Sequence, residues 1–174
     1  MTMTESVRAL RSPAPSAGLS LGSAARMIAG AAGLLARVPM SLTQLALRCA
    51  LAVPFWNSGL TKWDGFLVLS DSAVFLFAEE FRLHLFGHEL AYPYPTAMAA
   101  LSGAAEIGLP ALLLLGLGTR FAAFGLLAMT AIIQLTIPDG WANFHLAWAA
   151  LALAILTHGP GRISLDHLIA RRGG

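Results

Sequence analysis

Four apolar segments, about 42–60, 96–117, 119–137 and 141–157, are separated only by turns and one longer loop. Each has about the 20 residues that an α-helix needs to cross the hydrocarbon of a bilayer. In hydrocarbon every backbone N–H and C=O must be satisfied within the chain, so such segments have to be helical. The composition agrees. Of 174 residues, 57% are hydrophobic and 11% charged, whereas a soluble domain carries roughly a quarter charged residues. The expected fold is all-α: a four-helix transmembrane bundle with an external, interfacial helical loop and short cytoplasmic surface helices. Four spans and their turns use most of the chain, leaving room for one domain at 42–158 between an N-terminal tail, 1–41, and a C-terminal tail, 159–174.

The breaks between segments have physical causes. Two prolines in Tyr92-Pro93-Tyr94-Pro95 preclude helix, and the tyrosines suit the headgroup layer. Gly116-Leu117-Gly118 precedes Thr119, which is expected to cap the third span. In Pro138-Asp139-Gly140 a preset proline angle, an aspartate and a glycine suited to the left-handed region spell a turn. Gly159-Pro160-Gly161 stops the fourth span. Pro54 is expected to kink the first span or interrupt its hydrogen bonding.

Eight of the eleven basic residues fall on one side: Arg8, Arg11, Arg26, Arg37, Arg120, Arg162, Arg171 and Arg172. Lys62 and Arg82 fall on the other, and Arg48 lies within a span. The positive-inside rule then puts both termini in the cytoplasm and the 61–95 loop outside. The Ser-, Pro- and Arg-containing start of the tail reads as disordered and uncleaved, followed by an amphipathic surface helix around Met27 to Ala36. Its acid-poor composition also resembles an organellar transit peptide. In the loop, Phe75, Phe77, Phe81 and Phe86 alternate with Glu79, Glu80 and Arg82, which predicts a helix lying in the interface. The modest net charge of +2 points to lipid rather than nucleic acid.

Polar groups inside spans are costly and face the bundle interior, so they are the functional candidates. Gln44, Arg48, Ala52, Phe55, Gly59 and Lys62 recur at helical spacing on the first span, and Ala99, Ser102, Gly103, Glu106 and Pro110 on the second. Thr130 and Gln134 on the third and Trp141, His145 and Ala149 on the fourth complete four converging stripes. At about 1.5 Å per residue, Arg48 comes within reach of Glu106, predicting an ion pair. Gln134 and His145 share the outer third, just below Lys62. The Arg48–Glu106 pair has two readings, a tether between helices or the lining of a ligand or proton path.

His84 and His88 would share a face if helical, with Glu89 alongside, but no third histidine is near and no metal site is assigned. Cys49 is the sole cysteine and lies in an apolar run, which excludes an intramolecular disulfide or a CxxC motif. No serine-histidine-aspartate order or phosphate-binding glycine loop is present, and no haem, flavin or iron–sulfur pattern is apparent.

Phe55-Trp56-Asn57-Ser58-Gly59-Leu60-Thr61-Lys62, Glu106, Leu115-Gly116-Leu117-Gly118-Thr119-Arg120 and Gly159-Pro160-Gly161-Arg162-Ile163-Ser164-Leu165-Asp166 together resemble the DoxX family over roughly 42–168. Trp63-Asp64-Gly65-Phe66 and Glu79-Glu80-Phe81 are similar to the DoxX type encoded beside bufferin copper-binding peptides. The resemblance implies a multi-pass protein of the bacterial inner membrane in a redox or metal or oxidative-stress system, since some relatives are subunits of a thiosulfate:quinone oxidoreductase. On that footing a quinone is the expected ligand, with a protein partner in the same complex. Glu106 would handle protons, Arg48 would set its charge state, and His145, Gln134 and Lys62 would bind the ligand. Two other readings stay open: a non-catalytic accessory or assembly subunit, and a small transporter or metal-handling protein.

Overall fold

The structure is a computed structural model with side chains, describing residues 21–173. The expectation of a disordered start falls on residues outside these. Two units divide at Val38 and Pro39. The described part of the first holds one helix, α1 (Leu21–Leu35).

The second unit is built on four long helices. α2 (Met40–Leu60) runs without a break through Pro54, whose missing N–H leaves the carbonyl of Ala50 without its usual helical donor. α4 (Pro95–Leu115) follows the loop and α5 (Thr119–Thr136) the Gly116–Gly118 turn. A 3₁₀ turn (Pro138–Gly140) and a π-helical turn (Trp141–His145) then lead into α6 (Leu146–His158). Three stretches, Pro95–Leu115, Thr119–Thr136 and Pro138–His158, are long and apolar enough to cross a membrane, and α2 makes a fourth when taken with the helix before it.

α2 packs on α4, α4 on α5, α5 on α6 and α6 back on α2, closing a ring. Inside it lie Leu51, Ala52, Phe55, Leu113, Ala122, Ala123, Leu126, Ala152 and Ile155, all at most 2% exposed. Small residues set the helix spacing. A Cβ on Gly59 would come within 3.0 Å of Glu106, so α2 and α4 touch through backbone at that point.

The loop joining α2 to α4 is helical only in part. α3 (Asp71–Phe75) is capped by the Ser70 hydroxyl, which accepts from the Ala73 N–H at 3.2 Å, and continues into a π-helical turn (Leu76–Glu80). On either side the chain pairs as two antiparallel hairpins, β1 (Trp63–Gly65) with β2 (Val68–Leu69) and β3 (Arg82–Leu85) with β4 (His88–Ala91). The helix expected to continue through Phe86 therefore ends at Glu80. Phe86 and Gly87, with φ of 51° and 81°, form a two-residue turn whose twist matches paired strands and cannot continue a helix.

At the opposite, tail end of the bundle the cap of α5 differs from the expected one. Gly116 (φ 69°) ends α4 in the left-handed conformation, but Thr119 does not cap α5 with its own side chain. The cap comes from Asp166, just inside the C-terminal helix α7 (Leu165–Arg172).

Candidate functional site

Lys62 follows the last turn of α2, and its side chain runs back along the helix, as Cα–Cβ bonds that tilt toward the helix N-terminus favour. Its Nζ donates to Glu106 Oε2 at 2.6 Å and to Ser58 Oγ at 3.3 Å. Glu106 Oε1 accepts from Ser102 Oγ, one helical turn away, at 2.8 Å. Both side chains of the ion pair are largely withdrawn from the surface, 12% exposed for Lys62 and 4% for Glu106.

Arg48 does not reach Glu106, contrary to the pairing expected from depth. Its guanidinium donates to the carbonyl oxygens of Leu113, at 3.4 Å, and Ile163. Leu113 is two turns along α4 from Glu106, about 10 Å at 1.5 Å per residue. A long side chain has chosen one carbonyl in the last turn of α4 and one in the segment before α7 over a carboxylate at the middle of α4. Asp166 stands in the same neighbourhood. It accepts from the backbone N–H of Gly118 at 2.8 Å and of Thr119 at 2.9 Å. Burial alone would raise its pKa, but these donors and the charge of Arg48 outweigh that and hold it below its ordinary value. Arg48 and Asp166 thus tie the ends of α4 and α5 to the C-terminal segment, which is a structural arrangement away from Glu106.

On the opposite wall of the bundle, His145 Nδ1 meets Gln134 Oε1 at 2.7 Å, and Gln134 Nε2 donates to the Pro138 carbonyl at 3.0 Å. That carbonyl can only accept, so the amide is oriented with its oxygen toward the imidazole. Nδ1 must then carry the proton, and a neutral His145 keeps its lone pair on Nε2. The ring lies over Gly140, where a Cβ would stand 2.6 Å from Nε2. Gly140 has φ −74° and ψ −6°, so it is in the right-handed region and not the left-handed one expected of the turn. What the site requires there is the missing side chain.

Between these walls is a partly open cavity of about 770 Å³. Lys62, Ser102 and Glu106 line it on one side and His145 on another, and the rest is mainly apolar: Phe55, Leu101, Met129, Ile133 and Trp148 among others. Phe77, Phe81 and Tyr92 from the loop also line it. Phe77 packs edge-on against Phe81 and Tyr92 at 5.2 and 5.3 Å, and the Tyr92 hydroxyl bonds Thr136 Oγ1 at 2.6 Å. The loop therefore folds onto the bundle as part of the cavity wall.

The sequence pattern assigns no role in this site to Tyr92, Gly140 or the loop aromatics. Ser102 is on the stripe that carries Glu106, and their i, i+4 relation is the signal for the bond between them. His84 and His88 lie on paired strands rather than one helical face. His84 sits opposite Glu89, with Nε2 and Oε1 3.6 Å apart. Among the described residues no three His, Cys, Asp or Glu side chains are grouped to hold a metal.

Residues 43–139, more than half of the chain and including Arg48, Lys62, Glu106 and Gln134, match the sequence model of the family described as DoxX. The chain belongs to the DoxX family. An uncharacterized protein of Haemophilus influenzae is 29% identical over 142 residues, covering 73% of this chain and 83% of that protein. No solved structure matches significantly. In this DoxX protein the matched region supplies α2, α4, α5 and the loop between α2 and α4, while His145 lies just beyond it.

Proposed function

We propose that this DoxX-family protein binds a quinone-type ring in the cavity at the loop end of the bundle, as a membrane subunit of a redox or stress-response system. The observation that carries the reading is that a buried carboxylate, Glu106, and a buried imidazole, His145, line the same apolar cavity of about 770 Å³. Cavities of roughly 300 to 1,000 Å³ with apolar walls and a few polar groups are the usual form of small-molecule sites.

The polar groups favour the reduced ring. Glu106 accepts hydrogen bonds, and with Nδ1–H given to Gln134, His145 offers an acceptor at Nε2. Two acceptors suit a ring bearing two hydroxyl donors. Glu106 and His145 would take the two protons that oxidation of a quinol releases, and a partner redox protein would take the two electrons. Lys62 holds the Glu106 charge in place, the part that helical depth assigns to Arg48. The apolar walls accommodate an isoprenoid tail. The one-sided distribution of arginines supports an inner-membrane orientation with both termini cytoplasmic.

Native mass spectrometry of the protein extracted gently from its own membrane tests the reading. The expected spectrum carries a quinone-sized adduct that is lost in His145→Ala. A wild-type chain free of any such adduct, and unable to take one up from added short-chain quinol or quinone, would overturn it.

A further inference from the structure

A second cavity, of about 700 Å³, opens at the tail end between the start of α2, the start of α5 and the segment joining α6 to α7. Among the described residues its basic side chains are Arg120, Arg162, His158 and His167, and its one carboxylate is Asp166. That carboxylate is engaged: each oxygen accepts a backbone N–H at the start of α5. Among the described residues neither Arg120 nor Arg162 has an acidic partner within ion-pair distance.

The cavity has a built framework. Gln44 Nε2 donates to the His158 carbonyl at 2.9 Å, tying α2 to the end of α6. The glycine turn after α6 lets the chain lie close on both neighbours. Gly161 has φ +81°, and a Cβ there would stand 3.0 Å from Gln44 Cβ; one on Gly159 would stand 3.3 Å from a guanidinium nitrogen of Arg120. Arg120 is thereby laid along the backbone at the cavity rim. On the same rim Phe121 is 85% and Met40 57% exposed, so an apolar border adjoins the cationic groups.

We propose that this cavity binds a phosphate-bearing anion through Arg120 and Arg162. Guanidinium groups match phosphate oxygens with paired N–H donors and stay charged at any physiological pH. The apolar border favours the headgroup of an anionic phospholipid over free phosphate, because a lipid fills both surfaces at once. Asp166 stays ionised, but both of its oxygens are turned to the backbone N–H groups at the start of α5, so it forms no ion pair with Arg120 or Arg162 and their N–H donors are left to the ligand.

The test uses the full chain purified in an uncharged detergent, titrated with a short-chain phosphatidylglycerol, a short-chain phosphatidylcholine and inorganic phosphate, with binding read from the thermal unfolding midpoint. The anionic lipid raises the midpoint in wild type, and Arg120→Gln and Arg162→Gln each weaken its binding about tenfold, as expected for the loss of one charge-assisted contact. Phosphatidylcholine response separates headgroup charge from tail burial: a midpoint raised equally by both lipids overturns the proposal. Inorganic phosphate acting as strongly as the anionic lipid, with the same loss in both variants, upholds the anion site and names free phosphate as its source. Arg171→Gln/Arg172→Gln removes two charges outside the cavity and leaves binding unchanged. An equal loss there, or a wild-type response that survives Arg120→Gln/Arg162→Gln, overturns the proposal.

Discussion

Lys62 and Glu106, 44 positions apart, meet at 2.6 Å where α2 crosses α4, and both are withdrawn from the surface. Removing one partner from such a pair leaves the other charged in apolar surroundings, at about 3 to 5 kcal/mol. Lys62→Met is therefore expected to destabilise the bundle by that amount, and Lys62→Met/Glu106→Met by less than Lys62→Met alone. Denaturation in detergent followed by helical circular dichroism gives both values. A loss below about 1 kcal/mol in the single variant would be that of an exposed ion pair and would contradict the burial of these two groups.

The crossing itself depends on Gly59. Gly59→Val places a side chain 2.9 Å from Ile107 Cγ1 and 3.0 Å from Glu106 Cβ, so α2 and α4 must separate. Overpacking of this kind costs about 1 to 3 kcal/mol. At Gly108 on α4 an added Cβ would meet nothing within 4 Å, so Gly108→Ala is expected to stabilise the helix by about 0.5 to 1 kcal/mol. The two variants should shift the unfolding midpoint in opposite directions.

Asp166 gives the tail end a dependence on pH. Burial raises its pKa, but the bonds from Thr119 and Gly118 and the charge of Arg48 lower it further, so the folded value lies below the ordinary 3.8. A depressed folded pKa means stability that is fully present above 3.8 and lost as pH falls through the folded value. Asp166→Ala should cost about 1 to 2 kcal/mol at neutral pH through loss of the cap. Asp166→Asn should unfold with a shallower acid dependence than wild type below that pH. Parallel acid titrations of the two proteins that superimpose would show that Asp166 does not carry it.

Gly140 offers a test of the imidazole wall. Its backbone is in the right-handed region open to any residue, yet a Cβ would overlap the His145 ring. Gly140→Ala is expected to keep the fold and to weaken quinol binding about tenfold, since a displaced ring loses one hydrogen bond to the ligand. Competition with a fluorescent quinol analogue measures the change, and wild-type affinity in the variant would remove His145 from the site.

The four long helices can be placed from the sequence to within two residues at each end, with the π-helical turn from Trp141 counted into the last, because a span is defined by local length and apolarity. The hairpins were not legible. Phe86-Gly87 lacks the Asn or Asp of the commonest two-residue turns, and the mixed aromatic and acidic residues around it fit an interfacial helix equally well. Of the polar groups, His145 and Gln134 can be brought together by depth, since both come from helices meeting at one short turn. Arg48 could not be assigned its partners.

Sequence by itself determined that the chain enters a membrane as a helical bundle, where its four long helices begin and end, and most of the residues that turn inward on them. Those properties are sums over neighbouring residues: hydropathy over a span, period along a helix, proline and glycine at its ends. Only the tertiary structure decided that Lys62 rather than Arg48 meets Glu106, that Asp166 caps α5, and that Gly140 seats His145. Each is a contact between separate elements of the chain, fixed by how far two helices slide and rotate against each other. A long flexible side chain turns a shift of one helical turn into a different partner, and no local pattern encodes that shift.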